Sequence, residues 1–173
     1  PMTIGQDFTV QLNASGNAVI STSDINNGSM DNCGLVLSLD VTDFDCTNLG
    51  PNDVILTGTD PNGNMAMDTV VVTVEDNIAP MVLGQDITVE LNDTGYAFVT
   101  PAMVNIGSTD NCGIVSYGPS TVSYQCFNVG TNNYTLTATD ASGNGGTHTV
   151  SVTVVDNTAP TLSLKADTIY LDA

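Results

Sequence analysis

The sequence predicts an all-β protein built of tandem antiparallel β-sandwiches of immunoglobulin or fibronectin III type, with six or seven strands in each. Three observations predict this class. Short runs rich in Val, Thr and Ile alternate apolar with polar residues, turns rich in Gly and Asn separate these runs, and the whole pattern occurs twice in 173 residues. Alternation with a period of two is typical of half-buried strands.

The repeat is marked by the motif Asp-Asn-x-Ala-Pro, which occupies residues 76–80 and 156–160. Pro1 aligns with Pro80 at an offset of 79, whereas Asp76 aligns with Asp156 at an offset of 80, so repeat 2 contains one inserted residue. We therefore expect residues 1–79 to form one sandwich, residues 80–159 a second, and residues 160–173 the first strand of a truncated third. Such a chain is expected to be a piece of a longer array.

Each repeat shows the same order of predicted elements. The first strand covers residues 8–12 and 87–91, where apolar residues alternate with Thr, Gln or Glu. Further strands are predicted near residues 18–21, 35–41, 44–46, 134–139 and 150–154. Residues 23–31 and 101–110 are predicted to be a loop with room for one helical turn. The last two strands are joined by the Asp-x-x-Gly-Asn turns at residues 60–64 and 140–144.

Two cysteines occur at matching places in each repeat. Cys33 and Cys46 are 13 residues apart, and Cys112 and Cys126 are 14 apart. Four cysteines allow three pairings, and a module that folds beside any neighbour favours bonds within itself, Cys33–Cys46 and Cys112–Cys126. Each such loop is worth roughly 3 kcal/mol in the chain-entropy model. These bonds predict an oxidising, extracellular location, with two free thiols per repeat as the alternative.

The net charge of −18 arises from nineteen acidic residues against one basic residue, Lys165. Nucleic acid and anionic membranes would be repelled, whereas divalent cations would be attracted. Acidity that only maintains solubility is a compatible explanation. Because no apolar stretch approaches 18 residues, we expect no membrane span and place any secretion signal outside these residues.

The motifs D-N-C-G, T-D-x-x-G-N and V-x-D-N-x-A-P, in this order and twice over, resemble the hyalin-repeat (HYR) family. They are most similar to tandem repeats of large bacterial cell-surface adhesins, including gliding-motility adhesins. One departure is that many hyalin repeats begin with Cys-Pro, whereas repeat 2 begins with Pro80-Met81. The resemblance implies a cell-surface stalk module whose partners are neighbouring repeats, and which serves gliding or attachment to an unknown surface polysaccharide or protein.

Oxygen-bearing side chains lie in several loops of each repeat, and calcium takes six to eight oxygen ligands. An immunoglobulin-like topology would bring the linker and two loops together at the first junction. The predicted calcium ligands there are Asp76, Asn77, Asp110, Asp140 and Asn144. Repeat 1 would supply an equivalent set, Asp31, Asp60, Asn62 and Asn64, whose upstream linker we expect to have been cut away; Asp156 and Asn157 would supply half of a third. The alternative is that these residues only form tight turns, in which Asp and Asn bond the local backbone.

No arrangement of residues predicts an enzyme. His148 is the sole imidazole, and its counterpart in repeat 1 is Asp68, so a shared activity cannot depend on histidine. The alternative function is a carbohydrate- or ligand-binding accessory module, which would expose an aromatic cluster in one repeat only. Its candidate residues are Tyr96, Tyr117 and Tyr124.

Overall fold

A computed structural model describes residues 1–163. The first strand predicted for a third repeat, within residues 160–173, lies outside the described residues from residue 164 onward. Residues 1–163 form two similar sandwiches, each with six strands, which confirms the predicted all-β class. The first sandwich contains β1 (Phe8–Gln11), β2 (Asn17–Val19), β3 (Val36–Leu39), β4 (Asp43–Asp45), β5 (Gly50–Thr59) and β6 (Met65–Glu75). The second contains β7 (Ile87–Glu90), β8 (Tyr96–Val99), β9 (Ile114–Gly118), β10 (Val122–Gln125), β11 (Gly130–Asp140) and β12 (Gly145–Val155).

Each sandwich pairs a four-stranded sheet with a two-stranded one. The larger sheets have the orders β1-β6-β5-β3 and β7-β12-β11-β9, and the smaller ones pair β2 with β4 and β8 with β10. The first strand of each repeat runs parallel to the last, and the remaining pairs are antiparallel. This is an immunoglobulin-like arrangement, in which the long final hairpin forms the centre of the larger sheet.

The core of each sandwich lies between its two sheets. In repeat 1, Val54 and Leu56 of β5 pack with Val72 of β6 on one side and with Phe44 of β4 on the other. Their exposed fractions are 3% or less. Burying a side chain of this size stabilises the fold by about 1.5–3 kcal/mol. The alternation in the sequence therefore predicted the inward face of these strands correctly.

The residue inserted in repeat 2 forms a β-bulge. In β9, Ser116 pairs with Thr139 and Ile114 pairs with Asp140, so Val115 is passed over. The equivalent pairing of β3 with β5 is continuous. A bulge absorbs one extra residue without reversing the faces of the rest of the strand. This local event explains why the offset between the repeats grows by one.

Of the four short helical elements, the two α-helices lie in the predicted loops and the two 3₁₀ turns lie outside them. The helices are α1 (Thr22–Ile25) and α2 (Pro101–Val104), and 3₁₀ turns follow β4 at Cys46–Asn48 and β10 at Cys126–Asn128. No helix within residues 1–163 is long and apolar enough to cross a membrane. In repeat 2 the entering segment runs along the loop after α2, through bridges from Met81 to Thr109 and from Gly84 to Asn105. This pairing carries the linker to the side of Asp110.

Candidate metal centre

A disulfide between Cys46 and Cys112 joins the two repeats, with their Cα atoms 5.4 Å apart. The predicted bonds within each repeat, Cys33–Cys46 and Cys112–Cys126, are therefore wrong. Cys33 and Cys126 are exposed thiols. Both bonded cysteines also pack against the hydrophobic core of repeat 1. The bond thus belongs to the junction and not to a single module.

The topology explains the error, because the two cysteines of one repeat lie at opposite ends of the sandwich. Cys46 follows β4 at the end of repeat 1 that abuts repeat 2, and Cys112 precedes β9 at the end of repeat 2 that abuts repeat 1. A bond within one repeat would have to span the length of the module. A separation of 13 residues along the chain gave no indication of this distance.

The two repeats approach closely around the disulfide. Gly16, in the turn between β1 and β2, has a backbone φ of +74°, and a Cβ added there would lie 2.7 Å from the Asn111 carbonyl oxygen and 2.8 Å from the Cys46 sulfur. Real Cβ atoms essentially never lie so close to other heavy atoms. The junction therefore requires glycine for both its backbone conformation and its lack of a side chain.

Three carboxylates meet beside this contact. Asp76 from the linker, Asp110 from the loop before β9 and Asp140 from the turn between β11 and β12 each present an oxygen, and these oxygens all lie within 4.8 Å of one another. The exposed fractions of Asp76 and Asp140 are 3% and 2%. At an effective dielectric constant of about 20, two full charges at this distance repel by roughly 3 kcal/mol. Three such groups therefore create a strong demand for positive charge.

Each aspartate is positioned by a turn, which uses one oxygen of Asp76 and of Asp110 and both oxygens of Asp140. The backbone N–H of Ile78 donates to Asp76 Oδ1 over 3.1 Å, and that of Cys112 donates to Asp110 Oδ1 over 2.9 Å. Asp140 accepts from Asn144 twice, from the backbone N–H and from the side-chain amide, each at 2.8 Å. The ordinary turn chemistry of Asp and Asn is thus present in the cluster.

Turn chemistry leaves several buried oxygens unused. Asp76 Oδ2, Asp110 Oδ2 and Asn111 Oδ1 are buried and accept no hydrogen bond within the described residues. A buried acceptor without a partner costs about 1–3 kcal/mol, and more when it is charged. Calcium takes both carboxylate and amide oxygens as ligands. These oxygens are of the kind that calcium binds, and the hydrogen bonds of the turns leave them without a partner within the described residues.

Two asparagines of this region differ from expectation. Asn77 is exposed, and its amide donates to Gln11 Oε1 and to Glu75 Oε2 and not to the three clustered aspartates. Asn111 was not predicted as a ligand, yet its amide donates to Asp76 Oδ1 over 3.0 Å and its oxygen is one of the unsatisfied atoms. Its place directly after Asp110 was the available signal. Asn144 lies at the cluster and also donates to the Asp76 carbonyl over 2.9 Å.

The outer end of repeat 1 holds the equivalent residues. Asp60 accepts from the backbone N–H groups of Asn62 and Asn64, both at 2.9 Å, and from the Asn64 side chain at 2.7 Å. The Asn64 side-chain bond is the largest cause that lowers the pKa of Asp60. Asp31 receives the Cys33 N–H and lies 3.0 Å from the Pro1 ammonium, and these two contacts lower its pKa.

The counterpart of Asp76 in the second linker is Asp156. It makes the same local turn, accepting from the Thr158 N–H over 3.0 Å, but it is exposed. Asn157 is also exposed. Burial of the linker aspartate therefore depends on contact with a following repeat.

The aromatic candidates divide by burial. Tyr124 is 5% exposed, so it belongs to the core. Tyr96 is 40% exposed and stacks on Phe98, with ring centroids 6.4 Å apart and planes 9° apart. Tyr117 lies on β9 and is 36% exposed. The aligned positions in repeat 1 hold Asn17 for Tyr96 and Val19 for Phe98, so this stacked pair is specific to repeat 2.

Comparison with known proteins identifies only distant structural similarity. The sequence matches no protein-family profile and no curated protein at a significant level. Similar solved structures include human protocadherin-24 EC1-2 at 15% identity, TM-score 0.44, with 90% of this chain and 99% of that chain covered. Human mucin-like protocadherin EC1-2 is 14% identical with a TM-score of 0.43, and the match covers 90% of this chain and 98% of that chain. DIP-gamma IG1+IG2 is 11% identical with a TM-score of 0.36, and the match covers 87% of this chain and 94% of that chain.

Proposed function

We propose that this chain is a stalk segment of a secreted or cell-surface adhesin, in which consecutive repeats are held in line by a disulfide and a calcium ion at their junction. The observation that carries the proposal is that the disulfide and the carboxylate cluster are both shared between the repeats. Cys46 and Asp76 come from one side of the junction, and Cys112, Asp110 and Asp140 from the other. Cross-linking adjacent modules serves extension and stiffness, which a free-standing binding domain does not need.

The linker itself supports a stiff connection. Pro80 is buried and fixes its own backbone, and it also holds Ala79 in an extended conformation. A cation between Asp76, Asp110 and Asp140 would cancel the repulsion that otherwise drives the repeats apart. At millimolar calcium, with a dissociation constant about 100-fold lower, binding would add about 2.7 kcal/mol. The junction disulfide fits the oxidising extracellular location that such an adhesin would occupy.

The particular class of adhesin follows from the sequence motifs. The order of the Asp-Asn-Cys-Gly and Asp-Asn-x-Ala-Pro motifs supports an HYR-like repeat of a large bacterial adhesin, serving gliding or surface attachment through its parent molecule. In such an array, a rigid series of modules would carry a distant binding tip and multiply contacts. Neighbouring repeats are the direct partners of each module.

Thermal melting with and without chelator tests the calcium proposal. Removing calcium should lower the melting temperature by about 5–10 °C, because 1 kcal/mol corresponds to about 2–4 °C for a chain of this size. Asp140→Asn should abolish this dependence, while the exposed Asp53→Asn, which removes the same charge elsewhere, should keep it. The readout is the calcium-dependent shift of each variant and not its absolute melting temperature, because Asp140→Asn also loses the acceptor of the Asn144 side-chain amide. Melting of the parent chain that is unaffected by chelator would refute the site.

A carbohydrate-binding accessory module is the second candidate, and the stacked Tyr96–Phe98 pair favours it. Both rings are exposed on β8, and repeat 1 lacks them, as a site confined to one repeat requires. Exposed aromatic faces are typical sugar-binding platforms. Retention on insoluble polysaccharide that disappears in Tyr96→Ala but persists in Asn17→Ala would support this function. If the polysaccharide does not retain the parent chain, the carbohydrate-binding function is refuted and the stalk function is the one that stands.

A further inference from the structure

The exposed thiol of Cys126 lies in a site built like the one that already holds a disulfide. Cys126 occupies in repeat 2 the place that Cys46 occupies in repeat 1. Cys46 directly follows β4, and Cys126 directly follows β10. Its sulfur lies 4.0 Å from the Gly95 carbonyl oxygen, and the Cys46 sulfur lies 3.7 Å from the equivalent Gly16 oxygen. The bonded and the free cysteine therefore have the same surroundings within their own repeats.

The glycine beside each sulfur is also the same. Gly95 has a φ of +79°, and a Cβ added there would lie 3.0 Å from the Cys126 sulfur. At Gly16 the φ is +74° and the corresponding distance is 2.8 Å. At the first junction this missing side chain makes room for the backbone of Asn111. Repeat 2 thus keeps the shape that admits an Asp-Asn-Cys-Gly loop, although neither of the two such loops within residues 1–163 occupies it.

A groove of about 800 Å³ is open at this place. Gly95, Cys126, Asp156 and Pro160 are among the residues that line it. Their counterparts in repeat 1 are covered by the next module, so Pro80 is buried whereas Pro160 is exposed. At the opposite end of the chain, Cys33 is an exposed thiol within an Asp-Asn-Cys-Gly loop. The two ends therefore carry the two complementary halves of one interface.

We propose that Cys126 forms a disulfide with the cysteine of an Asp-Asn-Cys-Gly loop on a following module of this kind, and that Cys33 receives the equivalent bond from a preceding one. This inference rests on the proposed stalk function and adds that every junction is covalently bridged. The two thiols lose two protons and two electrons to a low-molecular-weight disulfide, which is reduced to two thiols by exchange. Because the joined surfaces differ, the contact extends head to tail and does not close into a dimer.

A concatenated chain tests this pairing. Residues 1–159 are joined directly to a second complete copy, so that Pro1 of the second copy takes the place of Pro160. From Cys126 to Ala159 is 33 residues, and Cys33 of the second copy is 33 further, which gives the separation of 66 found for Cys46 and Cys112. The chain is refolded in a glutathione buffer, its free thiols are counted, and its disulfides are mapped by mass spectrometry.

The expected result is a bond between the first copy's Cys126 and the second copy's Cys33, with two thiols left per chain. It should form at a glutathione ratio within about tenfold of that for Cys46–Cys112. Cys126→Ser in the first copy is the control, and it should leave three thiols and no new linked peptide. Four free thiols, with both Cys46–Cys112 bonds intact, would overturn the proposal.

The same concatenated chain separates this inference from the stalk function on which it rests. Calcium-dependent melting that persists without the new bond would overturn only the inference. If the new disulfide forms but the melting temperature is the same with and without chelator, the inference stands and calcium is removed from the proposed stalk.

Discussion

Replacing both Cys46 and Cys112 by Ser should destabilise the chain by about 4 kcal/mol. The disulfide closes a loop of 66 residues, and the chain-entropy relation assigns about 4 kcal/mol to a loop of that length. The closed loop includes the central hairpin strands of repeat 1 and the first strands of repeat 2, so the constraint acts on the unfolding of both sandwiches. For a chain of this size, the expected fall in melting temperature is roughly 10 °C.

Urea denaturation followed by circular dichroism measures this change. The matched control is Cys33→Ser with Cys126→Ser, which removes two exposed thiols and should leave the urea midpoint within the error of the parent chain. Each variant is measured in calcium and in chelator, so that the cation and the disulfide are separated. A loss below about 1 kcal/mol in the first variant, or an equal loss in the control, would refute the reasoning from loop closure.

Three further outcomes are expected at other places. Gly16→Ala should lower the free energy of unfolding by at least about 1 kcal/mol more than Gly63→Ala does. Both glycines have positive φ, but only at Gly16 would the added Cβ lie against the other repeat. Equal losses in chemical denaturation would contradict the close junction. Deleting Val115 should leave a folded chain with a similar melting temperature, because the deletion restores the continuous pairing of repeat 1, and an unfolded product would contradict the bulge. Burial raises the pKa of Tyr124 and Tyr134, so the folded chain keeps protons that the unfolded chain loses. The free energy of unfolding should therefore be unaffected by these tyrosines below about pH 10 and should fall as the pH rises from there through their raised pKa values. A urea midpoint that stays constant over that range would contradict this prediction.

Much of the architecture follows from local patterns in the sequence. Alternation along residues 134–138 and 150–154 places the apolar side chains inward because side chains on a strand alternate between its two faces. The convergence of Asp76, Asp110 and Asp140 was also expected, since an immunoglobulin-like topology carries the linker and both loops to one end. That expectation was conditional on an immunoglobulin-like topology, which both sandwiches have.

The pairing of the cysteines could not be predicted from spacing. Cys33 and Cys46 are near in sequence but lie at opposite ends of the sandwich, whereas Cys46 and Cys112 are far apart in sequence and lie at one junction. Only the three-dimensional stacking of repeats distinguishes these cases. For the same reason the direction of the Asn77 side chain, which contacts Gln11, depends on how β1 and β6 meet at the end of the sheet.

The relative orientation of the two repeats in solution is the most direct test of a rigid, cross-linked junction. Residual dipolar couplings of the oxidised protein in calcium should fit one alignment tensor for both sandwiches. After reduction and addition of chelator, the two sandwiches should require different tensors. Different tensors in the oxidised, calcium-loaded protein would contradict the account, because the disulfide and the carboxylate cluster would then not hold the repeats in line.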